Sequence, residues 1–330
     1  MSEDYVIKVS GLKKWFPVRK GLFQSLLSKK ESFVRAVDEI SFDIKAKEVF
    51  GLAGESGSGK TTTGRLVLKI IEPTSGKIFF KGKDITTLTR KDMKPLRQKM
   101  QMVFQDPYES LNPRKRVNDI IAEGLRIQKV VTGEKEAEEK VIDTLEAVKL
   151  VPPEEFLFRY PHELSGGQRQ RVAVARTFIL NPEFVVADEP ISMLDVSIRA
   201  EILNLILELV EKFDVSILYI THDLATARHM CNRIAVMYLG KIMEMGTAEE
   251  IVYESLHPYT KALIAAVPVP DPKSKRTKLT VKGEIPSPVN PPSGCRFHTR
   301  CSIAEEVCHQ KEPELIKVGK EHHVACHKTA

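Results

Sequence analysis

The sequence predicts an α/β protein: a largely parallel sheet built around a glycine-rich phosphate loop, with a small cysteine-rich extension at the C-terminal end. Three observations predict it. Short buried β runs alternate with segments of helical spacing over most of the 330 residues. One glycine-rich stretch, "GESGSGKT", falls between a strand and a helix. Four of the five cysteines fall within the last 36 residues.

The elements follow in order. "YVIKVSGLKKWF" reads as a first strand running into a loop, and residues 17–32 as a basic insertion between strands. "FVRAVDEISFDIKAKEVFGLAGESGSGKTT" gives apolar strands that run into the glycine-rich loop; "KIFFKG" and "MQMVFQD" follow as strands. From Pro107 to Pro161 the pattern changes. "VNDIIAEGLRI" and "EKEAEEKVIDTLEAVKL" have helical spacing with charged outer faces, which predicts a helical insertion. "FVVADEP", "VSILYITHD" and "RIAVMYLGKIMEMG" restore short buried β runs. After Gly246 come a short helix pattern, "AEEIVYES", and a proline-rich stretch expected to be an extended linker.

Composition narrows the function classes. Apolar residues make up 42% and charged residues 28%, with a net charge of +6, as in a soluble chain with a sizeable core. No apolar run is long enough to span a membrane, and the acidic N-terminus does not fit a signal peptide, so a cytoplasmic location is expected. The densest basic run, "RKDMKPLRQKM" at 90–100, has few aromatic residues interleaved. It reads as a solvated helical face, and no nucleic-acid partner is expected.

The chemistry starts at Gly54–Thr61, which fits G-x-x-x-x-G-K-[ST], the phosphate loop of P-loop NTPases, in the strand–loop–helix setting that the motif requires. Gly54, Glu55, Ser56, Gly57, Ser58 and Gly59 form a turn whose backbone N–H groups point inward; the following helix adds positive potential. Lys60 supplies a cation for the outer phosphates, and the hydroxyls of Thr61 and Thr62 open the helix, Thr61 facing Mg²⁺. In "FVVADEP", Asp188 ends a buried run and is placed to hold Mg²⁺; Glu189, one residue on, is placed to orient or deprotonate an attacking water.

"LSGGQRQRVAVAR" (residues 164–176) is more specific. Ser165 can cap a helix, and Gly166, Gly167 and Gln168 leave its first N–H groups open to an anion. Together with Gly54–Thr61 and Asp188-Glu189, this stretch makes the chain resemble the ATP-binding subunits of ABC transporters over nearly its whole length. The resemblance implies an ABC-type core at 1–255, with an N-terminal antiparallel β subdomain and a helical subdomain at about 107–161, followed by an extension at 256–330. It implies that Gln105 is the glutamine joining Mg²⁺ and the attacking water to the helical subdomain. It also implies that "SMLD" is the loop ending in Asp195 at the dimer seam, with Met193 in place of the usual alanine, and that His222 contacts the γ-phosphate. Adenine stacking would fall to Phe16 or Trp15, with Phe33 an outside candidate. The implied mechanism is a head-to-tail pair of ATPase subunits that closes on ATP and drives two membrane permease subunits.

The tail narrows the resemblance. "HPYTKALIAAVPVPDP" and "GEIPSPVNPPSGCRFHTRC" resemble the C-terminal extension of oligopeptide and dipeptide importer ATPases; nickel importers have related subunits. An extracellular peptide-binding protein acting through the permease is implied. Cys295, Cys301, Cys308 and Cys326 follow the pattern C-x₅-C-x₆-C-x₁₇-C. Four thiolates suit a tetrahedral Zn²⁺ ion or a [4Fe–4S] cluster. The absence of a closely spaced cysteine pair favours the cluster, and proteins resembling this tail carry one. His298, His309, His322, His323 and His327 are alternative ligands nearby, and Cys231 reads as a buried thiol. Because the tail is proline-rich with little apolar content, a metal staple is expected to fold it. A soluble ABC-type ATPase unlinked to transport and an iron–sulfur redox regulator are the competing readings.

Overall fold

The computed structural model describes residues 5–18, 32–266, 281 and 283–329. Most of the expected basic insertion (19–31) and much of the proline-rich stretch (267–280) therefore lie outside the described residues. The chain forms two compact units, each assembled from separated segments: residues 1–6, 44–49 and 87–219 in one, and residues 7–43, 50–86 and 220–330 in the other.

In chain order the strands are β1 (Tyr5–Pro17), β2 (Phe33–Lys45), β3 (Val49–Ala53), β4 (Ser75–Phe80), β5 (Lys83–Asp84), β6 (Met100–Val103), β7 (Phe184–Asp188), β8 (Ser216–Thr221), β9 (Arg233–Tyr238), β10 (Lys241–Thr247), β11 (Ile316–Lys317) and β12 (His323–Val324). The main helices are α1 (Lys60–Val67), α2 (Val117–Gln128), α3 (Glu134–Ala147), α4 (Gly166–Phe178), α5 (Val196–Phe213), α6 (Leu224–Met230), α7 (Ala248–Tyr253) and α8 (Pro258–Ala266). Among the described residues no helix is long and apolar enough to cross a membrane.

The unit that holds the glycine-rich loop contains an antiparallel sheet in the order β2-β1-β4-β5. Ile40, Phe42 and Ile44 of β2 are buried, while Glu39 and Ser41 are exposed, as expected of a strand with one apolar face; before Glu39, which has φ 63°, Val37 and Asp38 are buried in succession and the alternation breaks. A second set of strands runs β11-β12-β10-β9-β3. β3 and β9 pair in parallel, with Phe50 opposite Arg233 and Ala53 opposite Val236, and both are buried along their length. β9 turns into β10 through Leu239 and Gly240, both at positive φ (43° and 81°), the two-residue turn whose twist suits antiparallel strands.

The C-terminal extension continues this set of strands. Glu244 of β10 faces Val324 of β12, and β12 pairs in turn with β11. Glu244 is fully buried and accepts hydrogen bonds from the Leu256 and His257 amides (2.6 and 3.2 Å). Its third partner is His322 Nε2 at 2.8 Å. Phe297 is buried in an aromatic cluster with Tyr238, Tyr259 and His257 (centroids 5.4, 5.3 and 5.9 Å away). The tail is thus held by strand pairing with β10 and by a buried aromatic cluster shared with β9, which corrects the expectation that a metal staple is what folds it.

The other unit contains strands in the order β8-β7-β6, with β6 and β7 parallel, Met100 opposite Phe184 and Val103 opposite Ala187. Its helices are amphipathic. α3 buries Ala137, Val141 and Leu145 at four-residue spacing, and α2 buries Ile120, Ile121 and Leu125. Both pack on α4. Thr177 of α4 donates its hydroxyl to the Met102 carbonyl at 3.2 Å, which fixes the helix to β6.

Candidate functional site

The glycine-rich loop links β3 to α1. A Cβ at Gly54 would fall 2.2 Å from the Met237 carbonyl oxygen, and one at Gly59 would fall 2.1 Å from that of Ala36. Both glycines also have positive φ, 149° and 108°, so only glycine fits the turn. Gly240 donates its amide to the Ser58 carbonyl at 2.9 Å, and the Ser58 amide reaches the Glu55 carbonyl at 3.2 Å. Lys60 is buried, with its Nζ on the carbonyls of Gly54 (2.7 Å) and Glu55 (2.9 Å). Thr61 and Thr62 are half-buried on the first turn of α1, and Ser56 and Gly57 are exposed.

Two further predicted regions lie in the same unit. His222 follows β8 and is exposed, while its neighbour Asp223 caps α6 by accepting the Ala225 amide at 2.8 Å. At the end of β1, Trp15 donates its indole N–H to Asp38 at 3.1 Å and carries the Arg35 guanidinium 4.5 Å above its ring. Phe33 lies 6.2 Å from Trp15. Phe16 is 38% exposed, with the Lys14 ammonium 5.0 Å above its ring.

In the other unit, β7 carries Asp188, buried, to its last position. Glu189 sits at φ 44°, half-buried, and Gln105 places its amide nitrogen 3.4 Å from the Glu189 carboxylate. Ser192 donates both its amide and its hydroxyl to the Glu189 carbonyl, each at 3.1 Å. α4 opens at Ser165 with a reciprocal cap: the Ser165 hydroxyl accepts the Gln168 amide at 3.3 Å, and the Gln168 side chain accepts the Ser165 amide at 2.9 Å. Gly166 and Gly167 stand at the helix end beside it. Asp195 stands before α5, and the apolar residues around it, Met193 and Val196, are 58% and 80% exposed.

The four tail cysteines are unbridged, Cys295 and Cys308 buried, Cys301 and Cys326 half-buried. The Cys295 amide donates to the Cys308 carbonyl at 2.8 Å. Burial pushes the Cys295 thiol up to about 11, with the neighbouring Cys308, Cys326 and Cys301 adding to the effect. The Cys301 thiol is likewise pushed up, by burial first and then by Cys326 and Cys308. Among the described residues, however, no three His, Cys, Asp or Glu side chains form a group that could hold a metal ion, so the expected metal staple is not apparent. The histidines have other partners. His298 Nδ1 lies 2.8 Å from the Cys295 carbonyl, His327 Nε2 lies 2.8 Å from the Lys311 carbonyl, His323 Nδ1 lies 2.9 Å from the Glu321 carbonyl, and His322 meets Glu244. The His309 ring lies 4.3 Å from that of His298, tilted by 49°. Cys231 is buried, its sulfur 2.9 Å from where a Cβ on Gly51 would lie.

Sequence reasoning missed several residues here. Tyr259 accepts the Glu55 amide at 2.9 Å, and Arg300 grips the Glu55 carboxylate at 2.7 and 3.1 Å. Arg296 is buried and pairs with Asp38. The only local signal for them was the run of polar residues within "HPYTK" and "CRFHTRC".

Comparison with known proteins decides the family. Residues 37–192 match the ABC transporter family, and residues 243–308 match the oligopeptide/dipeptide transporter C-terminal region. The chain is 47% identical over 329 residues to the oligopeptide transport ATP-binding protein AppF of Bacillus subtilis, covering 99% of this chain and 98% of that one. It belongs to the ABC transporter ATP-binding proteins. A putative peptide import ATP-binding protein of Brucella ovis is 45% identical to this ABC ATPase, with 99% and 98% of the two chains covered. Among solved structures, CbiO1 of Clostridium perfringens, part of an ABC transporter complex, superposes with a TM-score of 0.64 at 28% identity, covering 77% of this chain and 93% of that one. The ATP-binding cassette MJ0796, in a dimeric post-hydrolysis state with ADP and phosphate, gives 0.64 at 25% identity, covering 73% and 98%. ATP hydrolysis in the service of a transporter is thus the activity of this family member.

Proposed function

We propose that this ABC ATPase is the energy-coupling subunit of a peptide importer, working on the cytoplasmic face of the membrane with a second ATPase subunit and two permease subunits. The observation that carries this reading is the full-length identity to peptide-transport ATP-binding proteins, tail included. An extracellular peptide-binding protein would deliver cargo to the permease. Residues 1–255 form the nucleotide-binding domain, with 107–161 as the helical part that meets the permease, and 256–330 form the extension.

The residue roles follow from chemistry. The N–H groups of the loop beyond Glu55, up to Thr62, and the Lys60 ammonium bind the phosphates of ATP, while the Glu55 N–H is held by the Tyr259 hydroxyl. Phe16, exposed where Trp15 is engaged, offers its ring to adenine. Mg²⁺, when bound, would neutralise phosphate charge; Thr61, Gln105 and Asp188 carry oxygen donors of the kind such a hard cation takes and are the residues that would hold it. Glu189 receives the proton of the attacking water, and Gln105 at 3.4 Å steadies its carboxylate. His222 contacts the γ-phosphate. The helix end at Ser165, Gly166, Gly167 and Gln168 binds the γ-phosphate of the ATP held by the second subunit, and Asp195 with its exposed apolar neighbours lies at that seam.

The thiols of Cys295, Cys301, Cys308 and Cys326 fit a [4Fe–4S] cluster better than Zn²⁺. A single zinc draws four sulfurs to about 3.8 Å of one another, given Zn–S bonds near 2.3 Å. The four thiols are unbridged, and their wide spacing in sequence, with no closely spaced pair, suits the wider span of a polynuclear core. Bound there, it would cross-link four points of the extension.

Replacing Glu189 by Gln tests the catalytic assignment. ATP turnover should fall about 10²- to 10⁴-fold while MgATP affinity is retained. Wild-type turnover in the variant would contradict it.

A further inference from the structure

The C-terminal extension does more than follow the nucleotide-binding domain in sequence. Its residues hold the phosphate loop. Glu55, the second residue of that loop, is engaged twice: its amide donates to the Tyr259 hydroxyl at 2.9 Å, and its carboxylate takes both terminal nitrogens of Arg300 at 2.7 and 3.1 Å. Tyr259 belongs to α8, and Arg300 lies between Cys295 and Cys301. Arg300 is buried and rests against aromatic faces, its guanidinium carbon 5.7 Å from the Tyr238 ring and 5.8 Å from that of Phe297. The Tyr238 hydroxyl lies 3.5 Å from the same guanidinium. Tyr238, Tyr259 and Phe297 pack on one another with centroids 4.7 to 5.4 Å apart. The grip is therefore rigid at its base.

Two physical consequences follow for a loop that binds a polyphosphate. The first is order. A turn with three glycines at positive φ, Gly54, Gly57 and Gly59, is costly to fix, and any contact that fixes it beforehand raises affinity for its ligand. The clamp holds Glu55, whose carbonyl, with that of Gly54, carries the Lys60 ammonium. The second is charge. A carboxylate in a loop that receives a polyanion repels it, and a bidentate guanidinium both neutralises the carboxylate and holds it in place.

We infer that Arg300 and Tyr259 are positioning residues for ATP binding: the extension clamps the phosphate loop through Glu55 and masks the charge of that carboxylate. The inference rests on the ATP-binding reading of the loop. Neither residue touches the reacting atoms; both act through Glu55.

The test is MgATP affinity of the full-length chain, measured by equilibrium binding of a fluorescent ATP analogue. Arg300→Gln should weaken binding about tenfold, because it leaves the Glu55 charge unmasked and the loop free. Adding Glu55→Gln to Arg300→Gln should recover most of that loss, a rescue that a merely structural role for Arg300 does not produce. Arg300→Gln within twofold of wild type, or a double variant no better than the single, overturns the clamp. Should Arg300→Gln not fold, Tyr259→Phe, which removes one oxygen, decides: about threefold weaker binding supports the clamp, and unchanged binding overturns it. Wild-type protein that does not bind MgATP would instead sink the ATP-binding reading itself, so the two failures are distinct.

Discussion

At the residue scale the molecule depends on a few buried polar groups, each with a definite partner. His257 is one. It is fully enclosed, and burial holds its imidazole down to about 3. Its Nδ1 accepts the Tyr259 amide at 3.0 Å, so the neutral ring is the form that the fold uses. An unfolded histidine takes up a proton near pH 6.5. The depressed value in the folded protein means that the stabilisation from His257 is complete above that pH. It is lost progressively as pH falls toward about 3, the unfolded state binding the extra proton. Wild-type stability should therefore fall on acidification below pH ~6.5 by up to about 1.4 kcal/mol per pH unit more than that of His257→Asn protein, whose amide oxygen can accept the same N–H. Denaturant unfolding of both proteins between pH ~4.5 and ~7 checks this. Parallel profiles would show that the buried ring does not titrate in the predicted sense.

At the scale of elements, local signals in the sequence were readable and distant pairings were not. The strand–loop–helix at Gly54–Thr62 was legible because its glycines and lysine sit within one short stretch and have only one comfortable backbone path. The cap at Ser165 was legible for the same reason, since Gln168 lies three residues away. The helical spacing of "VNDIIAEGLRI" and "EKEAEEKVIDTLEAVKL" matches α2 and α3. The anchoring of the tail was not legible. β11 and β12 are two residues long each, too short to show alternation, and β12 pairs with β10 about eighty residues upstream, with β11 added at its far edge. Arg300 and Glu55 are 245 positions apart, and nothing in either local sequence marks the other. These protein contacts change the expectation for the thiols. With the extension anchored on β9 and β10, the [4Fe–4S] reading predicts a tail that is stabilised by the cluster but does not depend on it to fold. Anaerobically purified protein should carry about four iron and four labile sulfide per chain and little zinc, by elemental analysis. Cys295→Ser should lose the iron and lower the melting temperature, with Glu244 and His322 still pairing β10 to the tail. Zinc at about one per chain, or no metal at all, would contradict the cluster.

At the scale of the whole molecule, the central claim is that one subunit is half of an ATP site. The helix end at Ser165–Gln168 is a capped N-terminus, the positive end of its helix dipole. Met193 and Val196 leave apolar surface exposed beside Asp195, as an interface would. A solved relative in the same fold is dimeric in a post-hydrolysis state. The most direct test is sedimentation velocity of Glu189→Gln protein mixed with its natural ATPase partner. Association should appear with MgATP, vanish without it, and vanish again when Lys60→Ala or Gly166→Asp is added. Partners that remain apart in MgATP with hydrolysis blocked, or that associate equally well with Lys60→Ala, would contradict the shared site.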